Sequence, residues 1–139
     1  MPAVREAARD ELKGFDVATM LEMFENVSPE VCLRAGRLIR KIDPDCFDKL
    51  RQELESPIRS RKIRAARAAQ LLGMQNEIQS SLLPFLDDKD PLIRRTGISA
   101  LASVRSSETI QALAALLEDE HPRVREEAAH ALSNLQTVQ

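Results

Sequence analysis

The chain has no tryptophan and no tyrosine, and four phenylalanines are its only aromatic residues. Its core must therefore come from Leu, Ile, Val and Ala, a mixture that suits close helix packing better than a sandwich of bulky strands. Cys32 and Cys46 are its two cysteines, too few for a disulfide framework, and both read as small residues of a buried face. His121 and His130 have no Cys-x-x-Cys beside them, so a closed zinc site lacks its ligands. Gly-rich phosphate loops, a G-x-S-x-G elbow and an H-E-x-x-H helix are also missing, which takes away the common catalytic signatures. No run approaches the ~18–20 apolar residues that span a bilayer. The opening MPAVREAARDEL is charged within five residues, unlike a secretory leader. These absences lead to the expectation of a cytoplasmic, non-catalytic protein with no metal and no cofactor.

What is present is a repeat. At 139 residues the chain suits one domain. Five segments overlay without gaps: 2–15, 29–42, 61–74, 91–104 and 122–135. Each carries a β-branched anchor, Val4, Val31, Ile63, Ile93 or Val124, spaced by 27, 32, 30 and 31 residues. Periods of this length mark stacked repeats. Eight residues after each anchor stands Leu12, Ile39, Leu71, Leu101 or Leu132, and eleven after it Phe15, Ile42, Met74, Val104 or Leu135. Offsets of 0, 4, 8 and 11 fall on one helical stripe, so each segment predicts an amphipathic helix, here called a B helix.

Ser28-Pro29, Asp90-Pro91 and His121-Pro122 place Pro at the first helical position, where its missing N–H costs nothing. Gly36 and Gly97 stand where other repeats carry Ala, so a close helix crossing is expected at each. Between the B helices lie four shorter apolar patterns, the A helices, at 16–26, 44–55, 76–87 and 107–118, with Asp43-Pro44 as a further cap pair. Links of a few residues predict antiparallel hairpins. The division is a half repeat at 1–15 and repeats at 16–42, 43–74, 75–104 and 105–139.

The string D-P-L-I-R, and behind it H-P-R-V-R-E-E-A-A-H-A-L, resembles the HEAT repeat in its short bacterial, phycobilisome-lyase-like form. The resemblance covers nearly the whole chain and is strongest from Leu82 to Leu135. It implies an all-α fold, a right-handed α-solenoid of about four and a half antiparallel helix-hairpin HEAT-like repeats. It also implies that Arg5, Arg64, Arg94 and Arg125 pair with acidic loop residues of a neighbouring repeat, while Cys32 replaces that Arg in the second. The His-Glu pairs of iron-binding relatives and the aromatic residues of glycosylase relatives are not found here.

Charge is distributed by helix type although the net is only −2: with their flanking caps the B segments (2–15, 28–42, 57–74, 90–104 and 122–135) total +9 and the A segments (16–27, 43–56, 76–88 and 106–120) −13. Two B helices carry most of the excess, through Arg34, Arg37, Arg40 and Lys41 on one and Arg59, Arg61, Lys62 and Arg67 on the other. No acid occurs between Ser56 and Glu77. In solenoids of the resembling family the B helices line the concave face. The function expected is therefore a protein–protein interaction scaffold that binds an acidic peptide or protein surface there. Nucleic-acid backbone binding through the same basic patch is the alternative. Residues 4–12 lack a covering A helix, so either a longer array or self-association through them is expected.

Overall fold

The computed structural model describes residues 17–137; the expected half repeat at 1–15, the pairing of Arg5 and the self-association through residues 4–12 lie outside them. The chain divides into two compact units, Met1–Met74 and Gln75–Gln139. Among the described residues every regular element is helical.

Among its described residues the second unit holds four α-helices: α5 (Gln79–Leu82), α6 (Pro91–Leu101), α7 (Ser107–Ala115) and α8 (Pro122–Thr137). A 3-10 turn at Leu83–Asp87 extends α5, and one at Leu116–Glu118 extends α7. The expected A helix at 76–87 is thus a single α-turn that tightens at Pro84, where the chain loses a backbone donor. Each A element packs on its own B helix, α6 packs on α8, and α7 packs on the Leu83–Asp87 turn. Ile93, Leu101, Val104, Val124, Leu132 and Leu135 are all buried, so both stripes lie as the period requires. Two of the starts are closed by side chains: Asp90 accepts from the Leu92 N–H at 2.9 Å, and Ser106 from the Thr109 N–H at 3.1 Å. Gly97 lies so close to Phe85 that a Cβ there would sit 2.7 Å from the Phe85 Cβ.

The first unit contains α1 (Val17–Phe24), α2 (Pro29–Ile42), α3 (Cys46–Leu54) and α4 (Arg59–Leu71). Here the expectations need three corrections. First, α4 starts at Arg59, two residues before the overlaid segment. The Ser56 hydroxyl accepts a hydrogen bond from the Ile58 N–H at 3.1 Å, just as the Asp88 carboxylate does from the Asp90 N–H and the Asp119 carboxylate from the His121 N–H, both at 2.9 Å. Ser56 is therefore the counterpart of Asp88 and Asp119, and Lys62, not Arg64, stands at the register of Arg94 and Arg125. Second, α3 begins at Cys46 rather than Pro44, and the Asp43 carboxylate accepts from the Asp45 N–H one step earlier. Third, α1 packs chiefly against α4 instead of forming a hairpin with α2.

α4 is the centre of this unit, flanked by α1, α3 and one end of α2. Its buried face is Ala65, Ala66, Ala68 and Ala69, which lets neighbouring helices approach closely. It ends in a Schellman motif: Met74 N–H donates to Ala69 O at 2.9 Å and Gly73 N–H to Gln70 O at 3.3 Å. That motif needs a left-handed residue, supplied by Gly73 at φ 69°. α2 seats on this end, where a Cβ on Gly36 would overlap the Leu72 carbonyl oxygen. Its buried stripe is Cys32, Gly36 and Ile39, one position round from the expected Val31, Ala35 and Ile39, and Val31 is left 43% exposed. Asp43, fully buried, is held by the Lys49 ammonium.

Candidate partner-binding surface

All eight cations of the expected site belong to the first unit, but the structure gives them three different employments. Arg40 faces inward. Its Nη2 donates to the Gly73 carbonyl at 2.8 Å and its guanidinium lies 5.5 Å from the Phe47 ring centre. A cation at a helix C-terminus answers the partial negative charge of the last carbonyls, so Arg40 clamps α2 onto α4.

On α4, Arg61 donates to both Glu53 oxygens, at 2.8 and 2.6 Å, and this bidentate pairing raises its pKa further. Arg67 donates to Glu25 at 2.8 Å. The run without acids in the sequence is thus partly neutralised in space by α3 and by the residue that follows α1. Arg59 is exposed and Lys62 half-buried, and both are engaged in polar or electrostatic contacts.

Arg34, Arg37 and Lys41 remain. All three are exposed on one side of α2, and among the described residues no hydrogen bond or ion pair holds them. Glu30, one turn before Arg34, makes no ion pair with it. These three, with Leu38 and Arg40, line an open groove of about 440 Å³. Leu38 is 56% exposed in the middle of them. The residues missed by charge counting are therefore Leu38 and Val31. The signal was present, because α2 carries two apolar stripes side by side, 32/36/39 and 31/35/38/42, and one packing partner can cover only one of them.

A second groove, of about 560 Å³, lies in the second unit beside Asp87, Asp88, Asp119 and Glu120. It is occupied by structure. Arg94, only 6% exposed, donates through Nη1 to the carbonyls of Asp88 and Lys89 at 2.8 and 3.1 Å. Its Nη2 reaches Asp119 Oδ1 at 3.1 Å and its Nε lies 3.0 Å from Oδ2. This is the expected pairing with a neighbouring repeat's loop. Arg125 meets its own loop instead, at the Asp119 carbonyl, 2.7 Å away. Arg64 is exposed and out of register. At the corresponding station of α2, Cys32 Sγ lies 3.3 Å from Phe24 O and 3.7 Å from Val27 O, a short neutral donor in place of the guanidinium.

A family model for HEAT repeats matches residues 79–139, the stretch that holds the two hairpins, the side-chain caps and the Arg94–Asp119 pair. Residues 79–139 carry HEAT repeats. The match is to HEAT repeats at large and does not single out the short phycobilisome-lyase-like form. Comparison with curated proteins gives no match. The fold class is all-α, of the HEAT-like α-solenoid type. HEAT repeats generally serve as protein–protein interaction scaffolds, and the family is typically non-catalytic. No helix among the described residues is long and apolar enough to cross a membrane. Among the same residues no group of three or more His, Cys, Asp and Glu is placed to hold a metal ion.

Proposed function

We infer that this HEAT-repeat chain is a non-catalytic scaffold that captures an acidic segment of a partner protein on the outward side of α2. The observation that carries the reading is that Arg34, Arg37 and Lys41 have no ion-pair partner among the described residues, against the paired state of Arg61 and Arg67. Three like charges within two helical turns repel one another, and an acidic ligand relieves that repulsion while forming charge-assisted hydrogen bonds. Cations already matched by Glu53 and Glu25 have less to gain. Two buried, reduced cysteines fit a cytoplasmic setting.

Binding to a nucleic-acid backbone draws on the same cations, and salt separates the two readings. A phosphate backbone contacted by several Lys and Arg side chains loses affinity steeply as salt rises. The test is fluorescence anisotropy with a labelled acidic peptide and with single- and double-stranded oligonucleotides, at low and near-physiological salt. Peptide capture that survives physiological salt, and disappears in the triple reversal Arg34→Glu, Arg37→Glu, Lys41→Glu with helical content unchanged, is the expected result. Oligonucleotide binding abolished by the same reversal, with no peptide capture, overturns it.

A further inference from the structure

α2 offers a partner more than charge. Val31, Ala35, Leu38 and Ile42 follow one another at i, i+4, i+7 and i+11, a straight strip along one helical face. Val31 and Leu38 are 43% and 56% exposed, whereas Ala35 and Ile42 are half-buried. One flank of this strip is the stripe of Cys32, Gly36 and Ile39, which is buried. The other flank is Arg34, Arg37 and Lys41. The surface is therefore lopsided, apolar along its axis and cationic on one side only.

We propose that the occupant of this strip is an amphipathic α-helix of a partner protein, with an apolar face laid on Val31 and Leu38 and a row of Asp and Glu along one edge of that face. This rests on the scaffold reading above and names the form of the acidic segment. The strip runs twelve residues, eleven rises of about 1.5 Å or roughly 16 Å, so three turns of partner helix cover it. An extended acidic peptide turns successive side chains to opposite faces and cannot follow a helical strip with both its apolar and its acidic side chains. A phosphate backbone would meet the cations and leave Leu38 and Val31 in water. Only side chains are on offer from α2, whose backbone groups are already paired within the helix, so strand addition has no edge to use.

The experiment titrates the full chain with two synthetic peptides of identical composition and charge. One places Leu at i, i+4, i+7 with Glu along one flank; the other scrambles that order. The expected result is about tenfold or more preference for the ordered peptide, a difference of ~1.4 kcal/mol. Leu38→Ser should remove that preference while leaving the scrambled peptide's affinity unchanged, and the triple reversal at Arg34, Arg37 and Lys41 should abolish both. Equal binding of the two peptides, indifferent to Leu38→Ser, overturns the helical occupant yet keeps the acidic-segment reading if the triple reversal still acts. Binding indifferent to the triple reversal overturns both. Because Leu38 is exposed, Leu38→Ser should leave the thermal midpoint and the sedimentation profile of the free chain unchanged. A drop of several degrees, or loss of a dimer, would mean that the chain itself or a second copy already covers the strip, and the proposal fails.

Discussion

The same stations recur in both units, but different chemistry fills them. At helix starts the second unit has Asp90 and Ser106, each bonded to the first turn, whereas in the first unit Ser28, Asp45 and Ile58 stand in that place and none makes a side-chain cap. The station of Arg94 holds Lys62 in α4 and Cys32 in α2. Stacked B helices in one unit are answered by an alanine-faced central helix in the other. What the difference teaches is that this repeat tolerates loss of its polar fastenings if small residues allow closer packing in exchange. The loosened unit is also the one with free apolar surface: Met23, Val31, Leu33, Leu38 and Ile58 are exposed there, against Leu92 and Leu117 in the other.

The comparison breaks most sharply at Arg94. Arg94→Ala leaves Asp119 nearly buried without its countercharge and frees two loop carbonyls, at a cost of about 3–5 kcal/mol. Arg64→Ala, at an exposed site, should stay within about 0.5 kcal/mol. Urea unfolding of the two variants side by side measures the contrast, and equal losses would remove the distinction drawn between the two arginines.

Gly36→Ala comes next. Its Cβ meets backbone, which cannot swing aside as a side chain can, so α2 must lift from the end of α4 at about 1–3 kcal/mol. Wild-type stability in this variant would show that α2 is not seated there.

Ile58→Asp runs the comparison in the opposite direction. Ile58 has φ −83° and ψ 116°, almost the values of Asp90 at −82° and 119°, so the backbone is already set for a capping carboxylate. A gain of about 1 kcal/mol is expected, with an exposed isoleucine removed as well. A thermal midpoint that does not rise would count against the station-by-station equivalence.

The smallest effect is at Cys46, whose thiol pKa is pushed up first by burial and then by the Asp43 carboxylate. The folded chain keeps this proton at a pH where the unfolded chain has released it. Its contribution to stability is therefore complete below the ordinary thiol pKa of about 8.5 and is lost as the pH climbs through the folded value. Unfolding of Cys46→Ala should show a shallower alkaline decline than wild type, and identical slopes would exclude the effect.

Much of this was legible. The period, the Pro starts and the stripes of α6 and α8 could be read because large β-branched anchors recur at fixed distance there. The register of α4 was lost by two residues because Ser56 does the work of an aspartate and Ile63 offers a false anchor. The face of α2 was misjudged because Cys32 and Gly36 make contact by being small, which hydrophobic periodicity weighs lightly. The basic run was overcounted because Glu53 lies eight positions from Arg61 and Glu25 forty-two from Arg67. A charge total records who is present, not who faces whom.

The alanine face of α4 carries a consequence for mutation. At Ala65, Ala66, Ala68 and Ala69 every substitution except glycine adds volume, so the damage open to this helix is wedging and not hollowing. Leucine-lined helices such as those of the second unit usually fail by shrinkage, leaving a void into which neighbours partly settle. A saturation library of the whole chain should therefore show opposite size rules in its two halves, with bulk selected against along α4 and loss of bulk selected against at Leu101, Leu113 and Leu132.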